Sequence, residues 1–212
     1  MRSPIVTKAL LISAAVALPL IASAASTYSS GTGALTATAT VNFEVFIPQT
    51  LYLRVGTGSA YPGTLATDNV TDLITFSPAV GSVGNGTAVA GVGGDIGAGV
   101  ETAAVLSNSG QTVSLSATEA AAGLTDGSGD FIPFTQITTT AAVNTASYTL
   151  LQPPVLNGTG GSSTITLTPT TGVVHADAKW TFGYANSVTP VGGTYGGVGV
   201  GNSTVTYTAS IP

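Results

Sequence analysis

The 212-residue sequence has no cysteine, a single histidine and only four basic residues, and charged residues make up 6% of it. Each shortage removes a class of function. Without cysteine there is no disulfide framework, no lipid attachment at a processed N-terminus and no thiolate nucleophile. One histidine and no cysteine exclude the usual zinc constellations. With so few Lys and Arg, nucleic acid and anionic membrane surfaces are poor partners, because binding them needs clustered positive charge. Helical signals are scarce as well. No segment shows a capped helical period, and Thr118–Leu124 (TEAAAGL), the one plausible helical turn, reads slightly better as a loop.

Residues 1–24 read as a secretory leader, with Arg2 and Lys8 as its positive region, Ala9 to Ile21 as its apolar core and Ala22-Ser23-Ala24 as its cleavage site. A membrane anchor is the poorer reading, because the apolar core is shorter than the ~20 residues of a span and Pro19 interrupts it. Cleavage leaves about 190 residues, which suit one large β-domain better than two small ones. Only Arg54 and Lys179 are then basic, against nine acidic residues. Exported without a disulfide, such a chain takes its stability from its core, a metal or association with other chains. A surface rich in Thr, Ser, Gly and Ala offers little repulsion against close packing with copies of itself.

What the chain does have is alternation. Leu35, Ala37, Ala39, Val41, Phe43, Val45 and Ile47 fall on one parity, and Thr36, Thr38, Thr40, Asn42 and Glu44 on the other, with Phe46 the one lapse. A period of two puts the apolar side chains on one face of an extended strand. At about 3.3 Å per residue the stretch spans roughly 40 Å, about twice a typical strand. An economical use of that length is to give its first half to a neighbouring subunit and its second half to its own. The C-terminus repeats the pattern: Val205, Tyr207, Ala209 and Ile211 share one face, and Thr204, Thr206, Thr208 and Ser210 the other.

Between these ends, strands are expected at Leu35–Val55, Leu73–Phe76, Thr102–Leu106, Thr112–Ala117, Phe131–Thr139, Ser147–Leu151, Ser163–Thr168, Ala178–Tyr184 and Thr204–Ile211. Gly/Pro/Asn turn signals such as Tyr61-Pro62-Gly63, Asn108-Ser109-Gly110 and Asn157-Gly158 separate them. Many short strands with such turns predict an all-β antiparallel sandwich. Gly81–Gly99, with eight glycines, reads best as a loop.

The search for chemistry returns little. His175, Asp177 and Lys179 share one parity of a strand, but no Gly-x-Ser-x-Gly elbow accompanies them, so a polar, solvent-facing strand is the better reading. Asp126-Gly127-Ser128-Gly129-Asp130 is oxygen-rich like a calcium loop, lacks the later acidic ligand and reads as a hairpin turn. Trp180, Phe182 and Tyr184 alternate with Thr181 and Gly183, which suits a core strand better than a carbohydrate platform. No catalytic, cofactor or metal residue is assigned, and an enzyme is not expected.

The two ends carry a resemblance. Leu35-Thr36-Ala37-Thr38-Ala39-Thr40-Val41 running on to Phe46-Ile47-Pro48 and Leu51-Tyr52-Leu53, with His175-Ala176-Asp177-Ala178, Gly193-Thr194-Tyr195-Gly196-Gly197 and the final Thr/Val/Tyr strand, resembles bacterial fimbrial major subunits. The likeness is to chaperone–usher pilins, in particular the cysteine-free alternate class of colonisation-factor and CS1-type fimbriae. It covers about the first 35 processed residues and the last 40. The resemblance implies an incomplete immunoglobulin-like antiparallel β-sandwich completed by a donor strand from a neighbouring subunit. It implies a leader over 1–24, a donor extension over 25–41 with Leu35, Ala37, Ala39 and Val41 as the donor face, and a sandwich over 42–212 that includes Phe43, Val45 and Ile47 in its first strand. Val205, Tyr207, Ala209 and Ile211 would form the acceptor-side C-terminal strand. The implied partners are other copies of the chain, a periplasmic chaperone and an outer-membrane usher, and the implied location is a surface fimbria supporting adhesion or biofilm formation. The alternative is a self-contained secreted sandwich that binds carbohydrate or another surface ligand, with its N-terminal strand folded into its own sheet and Trp180 or Tyr184 exposed.

Overall fold

The computed structural model describes residues 26–59, 66–198, 200 and 202–212. The expected leader, the expected turn at Tyr61-Pro62-Gly63 and two glycines of the second glycine-rich stretch lie outside the described residues. The chain divides into two units, Met1–Ile47 and Pro48–Pro212. In the first, the described residues 26–47 form no strand, and a turn is pinned where the Thr27 hydroxyl donates to the Thr38 carbonyl at 2.8 Å and accepts the Thr38 amide at 2.7 Å.

The second unit is all-β. Its strands are β1 (Leu51–Val55), β2 (Ile74–Thr75), β3 (Val89–Ala90), β4 (Val92–Gly93), β5 (Val100–Ser107), β6 (Val113–Glu119), β7 (Gly123–Thr125), β8 (Phe131–Pro133), β9 (Ile137–Ala142), β10 (Thr149–Leu150), β11 (Ser162–Leu167), β12 (Val174–Tyr184) and β13 (Val205–Ser210). Two sheets face each other without closing into a barrel. The larger runs β1-β5-β12-β10, with β3 and β9 also pairing β12, and the smaller runs β11-β6-β13. β12 is its spine. β5 pairs it antiparallel over Val174–Thr181, and β9 pairs it over Lys179–Tyr184.

The core follows from parity. Val174, Ala176, Ala178, Trp180, Phe182 and Tyr184 of β12 point inward with Ala103 and Val105 of β5, to meet Val113, Leu115 and Ala117 of β6. Small alanines in β5 and β12 leave room for Trp180, which is fully buried and donates its indole N–H to the Leu151 carbonyl at 2.7 Å. Burial of one such side chain contributes about 1.5–3 kcal/mol.

The Gly81–Gly99 segment is mostly turn, but it also contributes the short strands β3 and β4. Its glycines are needed where backbone crosses backbone. A Cβ on Gly99, at φ +72°, would lie 2.8 Å from the Gly91 Cα and 3.0 Å from the Phe182 carbonyl oxygen. Thr118–Leu124 is not helical: it is the end of β6, a bend and the start of β7.

Of the strand expected over Leu35–Val55, only the far end forms. Leu51–Val55 pairs with β5, whereas Phe43, Val45 and Ile47, expected in the subunit's first strand, lie outside any strand and are exposed. Pro48 lacks the N–H a ladder needs. The strand is instead set up by Asn108, whose side chain accepts the Thr50 amide at 2.7 Å and donates to the Pro48 carbonyl at 2.9 Å.

Candidate functional site

The two flanks of the sandwich differ. On one, the chain passes from β10, at the edge of the larger sheet, to β11, at the edge of the smaller, and residues 151–156 cover the gap. Leu151, Pro154 and Leu156 are buried there, and the Ser163 hydroxyl donates to the Val155 carbonyl. On the other flank β1 and β13 are the sheet edges. They approach to within 8 Å between Cα atoms yet share no ladder, and among the described residues each pairs on one side only, β1 with β5 and β13 with β6. We refer to this open flank as the seam.

The seam is apolar. Tyr207, Ala209 and Ile211 reach the main core from β13, as Leu53 and Val55 do from β1, but all five are only half-buried. Val205 packs with Ala117, Phe134 and Leu156 in a smaller cluster. Tyr207 lies against Trp180, ring centroids 5.3 Å apart. The outward residues Thr206, Thr208 and Ser210 are exposed. An edge of this kind presents unsatisfied backbone groups beside apolar side chains, the combination that pairs with an added strand. In the N-terminal unit Leu35, Ala37, Ala39 and Val41 are exposed, Leu35 by 50% and Val41 by 59%.

One end of the seam is ionic, a feature sequence reasoning missed. The Arg54 guanidinium pairs with Asp95 at 2.8 Å, and Asp95 also accepts the Thr102 amide at 2.7 Å. Asp72 accepts the Thr57 amide, and the Thr57 hydroxyl at 2.8 Å. Glu101, 4% exposed, accepts the Asp95 amide at 3.1 Å. A Cβ on Gly56 would collide with both Asp72 Oδ2 and Glu101 Oε2, so the two carboxylates converge above that glycine. Burial pushes the Glu101 carboxyl up to about 7. The Asp95 amide opposes this, and the negative charges of Asp72 and Asp95 add to it. Burial, and secondarily Glu101, holds the Tyr207 hydroxyl well above its ordinary value. The signal was present: Glu101 is the one acid in the inward phase Glu101, Ala103, Val105.

The other candidate residues serve structure. His175, Asp177 and Lys179 share the outer face of β12, but the expected solvent-facing strand is only partly so. Asp177 is 6% exposed, because Asn144 donates to it at 2.8 Å, the Thr145 hydroxyl at 2.6 Å and the Thr145 amide at 3.2 Å. The His175 ring stacks on Tyr148, centroids 3.4 Å apart, and burial holds the imidazole below its ordinary value against the pull of Asp177. No serine accompanies them in the surrounding depression, whose lining includes Tyr52, Arg54 and Tyr148. Asp126–Asp130 is the β7–β8 turn, closed by the Ser128 amide on Asp126 Oδ1 at 2.7 Å. Trp180, Phe182 and Tyr184 are core, at 0%, 8% and 4% exposure, which leaves no aromatic platform on this strand. Among the described residues, no helix is long and apolar enough to cross a membrane. No protein-family model, curated protein or solved structure matches this chain.

Proposed function

We propose that this chain is the structural subunit of an extracellular fibre, exported by its leader and polymerised by strand exchange. The N-terminal segment of one copy, with Leu35, Ala37, Ala39 and Val41 as its apolar face, adds to β13 of the next and completes that sandwich. The observation that carries this reading is the asymmetry of the flanks: one is covered by Leu151, Pro154 and Leu156, and the other leaves β1 and β13 unladdered with half-buried Tyr207, Ala209 and Ile211.

Burial of an apolar donor face contributes about 25 cal/mol per Å², and ladder hydrogen bonds close the edge against unwanted pairing. Alanine at two of the four donor positions suits a shallow groove in which backbone pairing carries much of the affinity. A free subunit with such an edge needs protection before assembly, the task of a periplasmic chaperone, with an outer-membrane usher as the site of exchange. The assembled fibre supports adhesion or biofilm formation through its surface. The carbohydrate-binding alternative needs Trp180 or Tyr184 exposed and the N-terminal strand folded into its own sheet. Both aromatics are buried, and residues 26–47 form no strand.

The test is electrophoresis in SDS of material sheared from the cell surface, with and without boiling. The expected result is a ladder that collapses to one monomer band on boiling, the mark of kinetically trapped strand exchange. A monomer band alone in both lanes would overturn the proposal.

A further inference from the structure

Two steps in the chain, Asn85-Gly86 and Asn157-Gly158, join the residue types that rearrange most readily without an enzyme. In that reaction the glycine amide loses its proton and its nitrogen attacks the asparagine Cγ. The Cγ–Nδ2 bond breaks, ammonia leaves and a succinimide forms, which water opens to aspartate or isoaspartate. Glycine favours the attack because no Cβ crowds the nitrogen. Both asparagines are exposed, so burial is no defence. The fold nevertheless treats the two steps alike. Each belongs to an Asn-Gly-Thr turn whose glycine takes a positive φ, +76° at Gly86 and +69° at Gly158. The asparagine Oδ1 accepts the threonine amide two residues on, at 2.8 Å from Thr87 and 3.0 Å from Thr159. In each turn a residue distant in sequence takes the glycine amide. The Gly86 N–H donates to the Asn186 carbonyl at 2.8 Å, and Asn186 Nδ2 donates back to Asn85 Oδ1 at 3.3 Å. The Gly158 N–H donates to Glu119 Oε1 at 3.1 Å, and the same oxygen accepts the Asn157 amide at 2.5 Å. Asn186 and Glu119 are 0% and 3% exposed, so both acceptors are anchored in the sandwich.

We propose that Asn85 and Asn157 are latent deamidation sites that the fold holds shut, with Asn186 guarding the first and Glu119 the second. A glycine N–H that is hydrogen-bonded keeps its proton, and a carbonyl or carboxylate oxygen is far too weak a base to remove it. The bonds to the asparagine Oδ1 restrain the side chain as well. Reaction then waits for the turn to open, an event that a buried anchor makes rare. Isoaspartate would insert an extra carbon into the backbone of either turn. At position 85 it would disturb the loop that Asn186 fastens to the end of β12, and at position 157 the turn that Glu119 holds before β11. The protection belongs to the folded subunit and does not rest on the strand-exchange reading above.

The experiment incubates the processed chain in warm, mildly alkaline buffer, native and in guanidinium chloride, and follows aspartate and isoaspartate at positions 85 and 157 by peptide mapping with mass spectrometry. Both positions are expected to react about tenfold or more slowly in the native chain. Glu119→Ala is expected to speed position 157 about tenfold and to leave position 85 at its native rate. Asn186→Ala, which frees the 82–87 loop, is expected to do the converse. Glu119→Gln keeps an acceptor oxygen and is expected to stay near the unmodified rate at both positions. Equal rates in the native and denatured chain would overturn the proposal whatever the variants do. So would an alanine variant, its sheet signal intact by circular dichroism, in which both positions accelerate together or neither does, or a Glu119→Gln rate that matches Glu119→Ala.

Discussion

Asn186 follows the end of β12 at φ +55°, a conformation asparagine tolerates better than most residues, and it is fully buried. Its Oδ1 accepts the Gly84 amide at 2.9 Å, its Nδ2 donates to the Ser82 carbonyl at 2.8 Å and the Thr87 carbonyl at 3.2 Å, and its own carbonyl accepts the Gly86 amide at 2.8 Å. One side chain thus fastens the 82–87 loop to the spine of the larger sheet. Asn186→Ala strands buried donors and acceptors and adds strain at a positive φ, so it is expected to cost about 2–3 kcal/mol. In a domain of this size that lowers Tm by about 5–10 °C, which calorimetry would read. Glu119 works similarly elsewhere. Buried at the end of β6, it accepts the amides of Asn157, Gly158 and Gly160 and holds the turn before β11.

Among the elements, the donor segment carries the sharpest expectation. Leu35→Asp or Ala39→Asp places a charge on the face proposed to enter an apolar groove, at a cost of several kcal/mol if the charge is buried. Export is expected to stay at the unmodified level while the SDS ladder disappears; normal fibres from both variants would remove the donor assignment. The elements also show how far the sequence could be read. Alternation is strict in Val113–Glu119 and Val205–Ser210 and is broken in Val174–Tyr184 by the buried Asp177 and in Val100–Ser107 by Leu106, yet each strand has one face in the core and lies close to where the pattern puts it. β3 and β4 escaped because two-residue strands among glycines carry no period. The stretch from Leu35 to Ile47 marks the complementary failure. A period of two says that a face can be buried, but not which chain buries it. The ionic end of the seam was hidden for another reason, since Arg54 and Asp72 are far in sequence from Asp95 and Glu101 and reach them only through sheet topology.

At the scale of the whole molecule, the seam ties stability to pH with a definite sign. The Glu101 carboxyl is raised from 4.5 to about 7 on folding, so the folded state holds its proton more tightly than the unfolded chain does. The stability this gives is fully present below about pH 4.5 and is lost as pH rises through about 7. Thermal unfolding of the processed chain is expected to show Tm about 5 °C lower at pH 8 than at pH 5, with Glu101→Gln flattening the slope. A Tm that rises over the same interval would contradict it. A subunit of this design is firmest in mild acid, the reverse of a protein held together by salt-bridged carboxylates.

Trp180 has an optical consequence. It is the chain's single tryptophan, and its fully buried indole lies beside Tyr207 of the last strand. Excited at the red edge of its absorption, where the seven tyrosines contribute little, the chain therefore emits from one indole in one environment, without the averaging that blurs most intrinsic fluorescence. A shift of that emission to longer wavelength reports water reaching the interior of the sandwich beside its C-terminal strand, so the protein carries its own label for the seating of β13.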